Sequence, residues 1–204
     1  MASKLTVPVL SGNHVRLEPL AHAHVDGLVA AANGDRSKYG YMIVPPTRDE
    51  MVAYVHDLLE QHEDGLAVPF AQVGIESRRV VGATRFMTIR SRRGETTPFA
   101  VEIGGTWLSG SAQRTAINSE AKMLLFTYAF ETWMVGRVDL KGDARNTRSR
   151  TAMARIGATF EGVLRQWQPS MVAGEEFLQR DTAMYSVVAN EWPTVRSNLE
   201  MKVN

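Results

Sequence analysis

The stretch that most constrains this chain runs from Val101 to Trp133, VEIGGTWLSGSAQRTAINSEAKMLLFTYAFETW. An apolar run, Val101 to Leu108, reads as a strand. It meets a turn of small polar residues, and the turn opens into a helical segment, Ser119 to Trp133. Leu124, Leu125, Tyr128, Ala129 and Trp133 are among that segment's apolar positions. A strand that passes through small residues into a helix N-terminus makes an anion site. Its free backbone N–H groups point outward, and the helix dipole adds about half a positive charge. The turn Gln113-Arg114-Thr115-Ala116-Ile117-Asn118 is suited in this way to phosphate groups, although an ordinary strand-to-helix loop accounts for those six residues taken alone.

Asn13 to Pro19 alternates, with Val15 and Leu17 on one face, and predicts a first strand. Ala21 to Ala32 predicts a helix stopped at Asn33-Gly34, and Arg36 to Pro46 a loop. Thr47-Arg48-Asp49-Glu50 is a capping-box pattern that opens a second helix, to about Glu63. Val68 to Glu76 and Val80 to Ile89 predict a hairpin around Ser77-Arg78-Arg79. After the central helix come a short strand, Val138 to Leu140, and a helix from Asn146 to Ile156. Two further strands follow, Ala158 to Trp167 and Phe177 to Val188, and then a terminal helix from Glu191. A hairpin that feeds a strand–helix–strand unit implies an α/β (mixed α+β) domain, a mixed sheet with helices on both faces.

The 204 residues are most simply one domain, 1–204, and 44 % hydrophobic residues suffice for a sizeable core. The chain contains no cysteine, which excludes disulfides, a thiol nucleophile and thiolate–zinc sites. The N-terminal stretch shows no secretion signal and no apolar run is long enough to span a bilayer, so a cytoplasmic location is the default expectation, with no membrane partner. A net charge of +1 argues against nucleic acid as a partner. The five histidines fall in the first third without a supporting carboxylate pattern, so no metal is expected. The motifs of esterases, P-loop proteins and Rossmann dehydrogenases are missing.

The Gln turn resembles the acetyl-CoA signature of the GCN5-related N-acetyltransferases (GNAT), Q/R-x-x-G-x-G/A. The block Val101 to Trp167 is similar to the RimJ/RimL-like branch: VEIGGTWL, the Gln turn, SEAKMLLFTYAFETW, GRVDLKGDARN, TRSRTAMARIGA and FEGVLR in order. The sequence departs from the signature at Ala116, usually Gly, and has Asn118 at its last position. The resemblance implies a GNAT fold, a splayed, mixed β-sheet of about seven strands flanked by helices on both faces. The strand of Glu102 and the strand Arg137 to Gly142 would part at one end to admit acetyl-CoA. It further implies acetyl-CoA as cosubstrate and a primary amine as acceptor, either a protein N-terminus or lysine or a small-molecule amine or hydrazine.

Site residues follow from the same comparison. Gln113, Arg114, Thr115, Ala116, Ile117 and Asn118 would hold pyrophosphate, with Trp107 and Leu108 at the end of the preceding strand. Thr106 or Trp107 would offer an N–H to the thioester carbonyl. Asn146 would bond the pantetheine arm, and Ser149 would face the thioester sulfur; capping of the helix they open is a compatible explanation of both residues. Glu102, a lone carboxylate in an apolar strand, is either a catalytic base or amine binder, or the partner of a basic group such as Arg85. Tyr39, Tyr41 and Trp167 are candidates for an acceptor pocket, and each is also explained by ordinary packing. Arg180-Asp181 matches a pair common in that branch and is expected to form a structural ion pair. A non-catalytic CoA-binding sensor or interaction module of the same fold is the alternative reading. The chain is expected to be a monomer or homodimer.

Overall fold

The computed structural model describes residues 4–203. Its elements are β1 (Leu10–Ser11), β2 (Val15–Pro19), α1 (Val25–Ala32), α2 (Arg48–Glu63), β3 (Ala67–Gly74), β4 (Val80–Arg90), β5 (Ala100–Leu108), α3 (Ala116–Thr127), β6 (Arg137–Asp143), α4 (Thr147–Arg155), β7 (Thr159–Pro169), β8 (Gln179–Val188) and α5 (Trp192–Val203). The strands form one eight-stranded sheet in the order β1-β2-β3-β4-β5-β6-β8-β7. The two-residue β1, too short for any periodicity, takes the sheet beyond the expected seven.

Alternation along the strands sorts the apolar side chains into two cores, one on each face. On one face Val15, Leu17, Phe70, Phe86, Val101, Ile103, Val138, Leu140 and Tyr185 pack against α3, α4 and α5 through Leu125, Phe126, Met153, Trp192 and Leu199. On the other, Ala71, Ala83 and Trp107 pack against α1 and α2 through Leu28, Met51, Val55 and Leu58. The second helix begins as its capping pattern predicts, with Thr47 Oγ1 accepting from the Glu50 N–H at 3.3 Å.

All pairings are antiparallel except β5 with β6, which are parallel because α3 carries the chain from one to the other. That pairing joins Ala100 to Arg137, Val101 to Val138 and Glu102 to Asp139. Beyond Glu102, β5 runs on to Leu108 against β4, and β6 runs on to Asp143 against β8. The sheet is therefore split between β5 and β6, from Glu102 outward.

Two local features shape β5 and anchor α3. On β5 the register slips between Ala83↔Trp107 and Arg85↔Gly104, which leaves a bulge at Gly105 and Thr106. Gly105 sits at φ +58, where a side chain is strained, and an added Cβ would lie 3.0 Å from Arg85 Nε. At the other end α3 is tied to the β1–β2 turn. The buried Glu120 carboxylate accepts the N–H groups of Asn13, His14 and Val15 at 2.7, 2.7 and 2.8 Å. Gly12 is required beside it, since a Cβ there would overlap the carboxylate.

Candidate active site

The polar turn after β5 folds back on itself. Gln113 N and Ala112 N donate to Ser109 O, and Gln113 Nε2 donates to Leu108 O at 2.9 Å. Gln113 Oε1 accepts from Arg148 of α4 at 3.2 Å, and the same arginine reaches Lys38 O at 2.6 Å. Gln113 is thus the brace that holds the turn against two neighbouring segments. Thr115 is the N-cap of α3, its hydroxyl oxygen accepting from Ile117 N at 3.3 Å. The N–H groups of Arg114, Thr115 and Ala116 have no acceptor among the described residues. They sit at the positive end of the α3 dipole.

The helix begins at Ala116, three residues before the sequence-based expectation of Ser119. Ala116, Ile117 and Asn118 form its first turn rather than a loop. The positive φ of the signature falls on Arg114, at +64, so the usual glycine position here needs no glycine for its backbone. Alanine is also a strong helix former, which favours an early start.

The opposite wall of the split is β6 and the start of α4. Asn146 caps α4, with Oδ1 accepting from Ser149 N at 3.0 Å. Ser149 Oγ lies against Gly142 of β6, 3.3 Å from where a Cβ would stand. Capping accounts for Asn146 Oδ1 and leaves the Ser149 hydroxyl available.

Glu102 lies at the vertex, where β5 and β6 part. It is buried, and its Oε2 is shared by Thr88 Oγ1 at 2.9 Å and Lys141 Nζ at 3.0 Å. The partner of Glu102 is Lys141 of β6 and not Arg85, the basic group named from the sequence. Arg85 instead lies across Gly105, and its buried Nε has no acceptor among the described residues. Glu102 Oε1 points along the strand to Gly104, 3.0 Å from where a Cβ would be.

On the far side of the β5 bulge is a residue sequence reasoning passed over. Lys122 of α3 is buried, 6 % exposed, and donates to Thr106 Oγ1 at 2.7 Å. Thr106 also bonds Thr84 at 2.8 Å. Burial lowers the pKa of Lys122 to about 7, an effect partly offset by the charge of Glu102. The signal was present: Lys122 shares a helix face with Leu125, Phe126 and Ala129, all buried.

The acceptor candidates separate. Tyr39 is 8 % exposed, packs edge-on against Trp107 and donates to Leu108 O at 3.3 Å. Tyr41 lies under the Arg145 guanidinium, 5.6 Å from ring centroid to Cζ. Arg145 also pairs with Asp143 at 2.7 Å and with Glu175 at 2.9 Å, so it ties the Tyr41 segment to the loop between β7 and β8. It holds the Asp143 carboxyl below its usual range and that of Glu175 at about 2. Trp167 stands on the edge strand β7, 56 % exposed.

The Arg180–Asp181 expectation does not hold. In a strand, neighbours point to opposite faces. Asp181 Oδ1 accepts from Gln166 N at 2.9 Å, beside the β7 irregularity. Arg180, 7 % exposed, turns to the other face, towards Asp143 and Glu102.

Among the described residues no group of three or more potential ligands could hold a metal ion, and no helix is long and apolar enough to cross a membrane.

The model of the acetyltransferase (GNAT) domain family matches residues 14–159. A GCN5-related N-acetyltransferase from Brucella melitensis superposes with a TM-score of 0.84 at 28 % identity, over 98 % of this chain and 87 % of that one. A protein from T. thermophilus assigned as an acetyltransferase is 31 % identical, with a TM-score of 0.80, over 98 % of this chain and 99 % of that one. RimL, the ribosomal L7/L12 alpha-N-protein acetyltransferase, in complex with coenzyme A, has a TM-score of 0.71 over 88 % of this chain and 97 % of that one; at 20 % identity the likeness is one of fold. No functionally curated protein matches the sequence significantly.

Proposed function

The chain belongs to the GNAT acetyltransferase family, and from that premise we propose that it moves an acetyl group from acetyl-CoA to a primary amine, by direct attack within a ternary complex. The observation that carries this reading is the split between β5 and β6, with Glu102 at its vertex and the free N–H groups of Arg114, Thr115 and Ala116 in the turn that follows β5.

The residues present fit the cosubstrate. Arg114, Thr115 and Ala116 offer N–H donors and a helix dipole to a pyrophosphate. Asn146 and the Ser149 hydroxyl line the β6 wall for the pantetheine arm and the sulfur. The bulge at Gly105 and Thr106 frees β5 backbone from its pairing, so an N–H of this stretch can polarise a carbonyl placed in the split. Acetyl-CoA supplies an activated thioester, and the chain has no cysteine through which the acetyl group could pass.

Glu102 then takes the role of base or amine binder. An ammonium cannot attack, so a proton must leave it. The Glu102 carboxylate is the buried acid at the vertex, and Lys141 and Thr88 fix its orientation while Oε1 remains unbonded among the described residues. Ser149 is a weak acid and serves as hydrogen-bond donor to the departing thiolate.

The Glu102–Lys141 pair also favours a second reading, a CoA-binding module that does not catalyse, in which that pair only staples β5 to β6. A thermal shift with acetyl-CoA and CoA, with NAD as comparator, tests the cosubstrate. A ligand held at a hundred times its Kd adds about 2.7 kcal/mol. Thiol release with a panel of amines, peptides first, separates the readings: release supports the enzyme, and binding without release supports the module. No shift with either acetyl-CoA or CoA overturns both.

A further inference from the structure

Arg180 is a buried guanidinium without an ion-pair partner among the described residues. It stands on β8, on the face that carries Lys141 and Asp143 of the neighbouring strand. Both carboxylates within its electrostatic reach, Asp143 and Glu102, make their ion pairs with other cations, Arg145 and Lys141. Asp143 accepts Arg145 N and Nε at 2.9 and 3.0 Å on one oxygen and Nη2 at 2.7 Å on the other. Glu102 gives Oε2 to Thr88 and Lys141. Arg180 Nε has no acceptor among the described residues, and two positions along on the same face Thr182 Oγ1, fully buried, has none either.

An arginine stays charged in any protein environment, and a buried charge left unpaired is costly. A planar fork of donors on β8, beside the β6 wall of the split and within electrostatic reach of Glu102, is complementary to a carboxylate. Arg85 adds a second guanidinium on the β5 side of Glu102, again with an orphaned Nε.

We propose that Arg180 receives a carboxylate of the acceptor, so that the preferred substrates are primary amines carrying an acidic group close to the amine. The amine lies towards Glu102 and the carboxylate towards Arg180. This rests on the acetyl-transfer reading and narrows its substrate class. A free α-amino acid supplies the carboxylate directly; a peptide supplies it from an acidic first residue.

Three matched sets of acceptors test the proposal: amino acids against their carboxamides and their decarboxylated amines, and peptides beginning Asp or Glu against Asn or Gln. Thiol release is followed with wild type, Arg180→Gln and Arg180→Lys. A charge-assisted hydrogen bond predicts that wild type prefers the carboxylate member by about 10- to 100-fold in kcat/KM. Arg180→Gln collapses that ratio, chiefly through KM, and Arg180→Lys restores part of it. Whichever set shows the preference identifies the source. Equal use of carboxylate and amide acceptors by wild type overturns the proposal and leaves acetyl transfer standing. Should no amine be turned over, CoA-loaded wild type and Arg180→Gln are compared in thermal shift with the same pairs. Stabilisation by the carboxylate member that the variant loses supports the proposal, and its absence in wild type overturns it. Absence of any CoA shift overturns the acetyl-transfer reading itself.

Discussion

Glu102 and Lys141 form an ion pair of 3.0 Å across the point where two parallel strands separate. The pair closes the split at its inner end. It also means that the carboxylate assigned to the amine is oriented by a cation from the facing strand. Base and staple are therefore compatible roles for one residue.

Replacing Glu102 by Gln separates those roles. The amide keeps the shape and loses the charge, so turnover falls by about 100-fold or more while the acetyl-CoA thermal shift is retained. Thiol release measured across pH checks this. Turnover equal to wild type at every pH would mean that Glu102 only holds β5 to β6.

Ser149→Ala and Asn146→Ala are expected to part company in the same assay. Ser149 contributes only its own N–H to the α4 cap, so its alanine variant unfolds within about 0.5 kcal/mol of wild type and loses turnover. Asn146→Ala removes the cap and costs about 1 kcal/mol. Denaturant titration of both, beside thiol release, tells whether the hydroxyl has a chemical role; equal turnover in Ser149→Ala shows that it has none.

Lys122 predicts a pH-dependent stability. Its pKa is about 7 in the folded protein and about 10.4 unfolded, so between those values the unfolded chain binds more protons and stability rises with pH. The cost of the buried cation is thus full below about pH 7 and is relieved towards pH 10. Lys122→Met is expected to be more stable than wild type at about pH 6, by about 1–4 kcal/mol, with the advantage shrinking as pH rises through that window. Urea midpoints of the two proteins over the range check the sign; a constant difference would mean that Lys122 does not lose its proton on folding.

Glu120→Ala leaves three backbone N–H groups of the β1–β2 turn without their acceptor. An orphaned buried donor costs about 1–3 kcal/mol, and of the three residues only Val15 is buried, so a loss of about 1–3 kcal/mol and a fall in Tm are expected. Calorimetry is the direct check. A fall of less than about 1 kcal/mol would show that water replaces the carboxylate.

Local pattern made much of the fold legible. The Thr47 cap, the alternation of β2 and the run from β5 into the central helix read directly, because each depends on neighbours within a few residues. The resemblance then placed the split and the Glu102, Asn146 and Ser149 positions along the chain. What stayed hidden had a spatial cause. Two-residue β1 carries no period, and it is held by Glu120, more than a hundred residues away. Arg180 and Asp181 look like a pair in one dimension, but strand pleating sends them to opposite faces.

The sequence by itself determined the order of the elements, the strand–turn–helix segment proposed to bind an anion and the kinds of residue available to it, because propensity, capping and periodicity are written in adjacent residues. The tertiary structure alone decided which charges meet. Lys141 rather than Arg85 reaches Glu102, Lys122 is pressed into a desolvated site behind the bulge, and Arg180 is left without a partner among the described residues. Those outcomes depend on strand register and on burial, and both are settled only when distant segments pack, since the strength of a charge's interactions depends on the distance and the water between it and its neighbours.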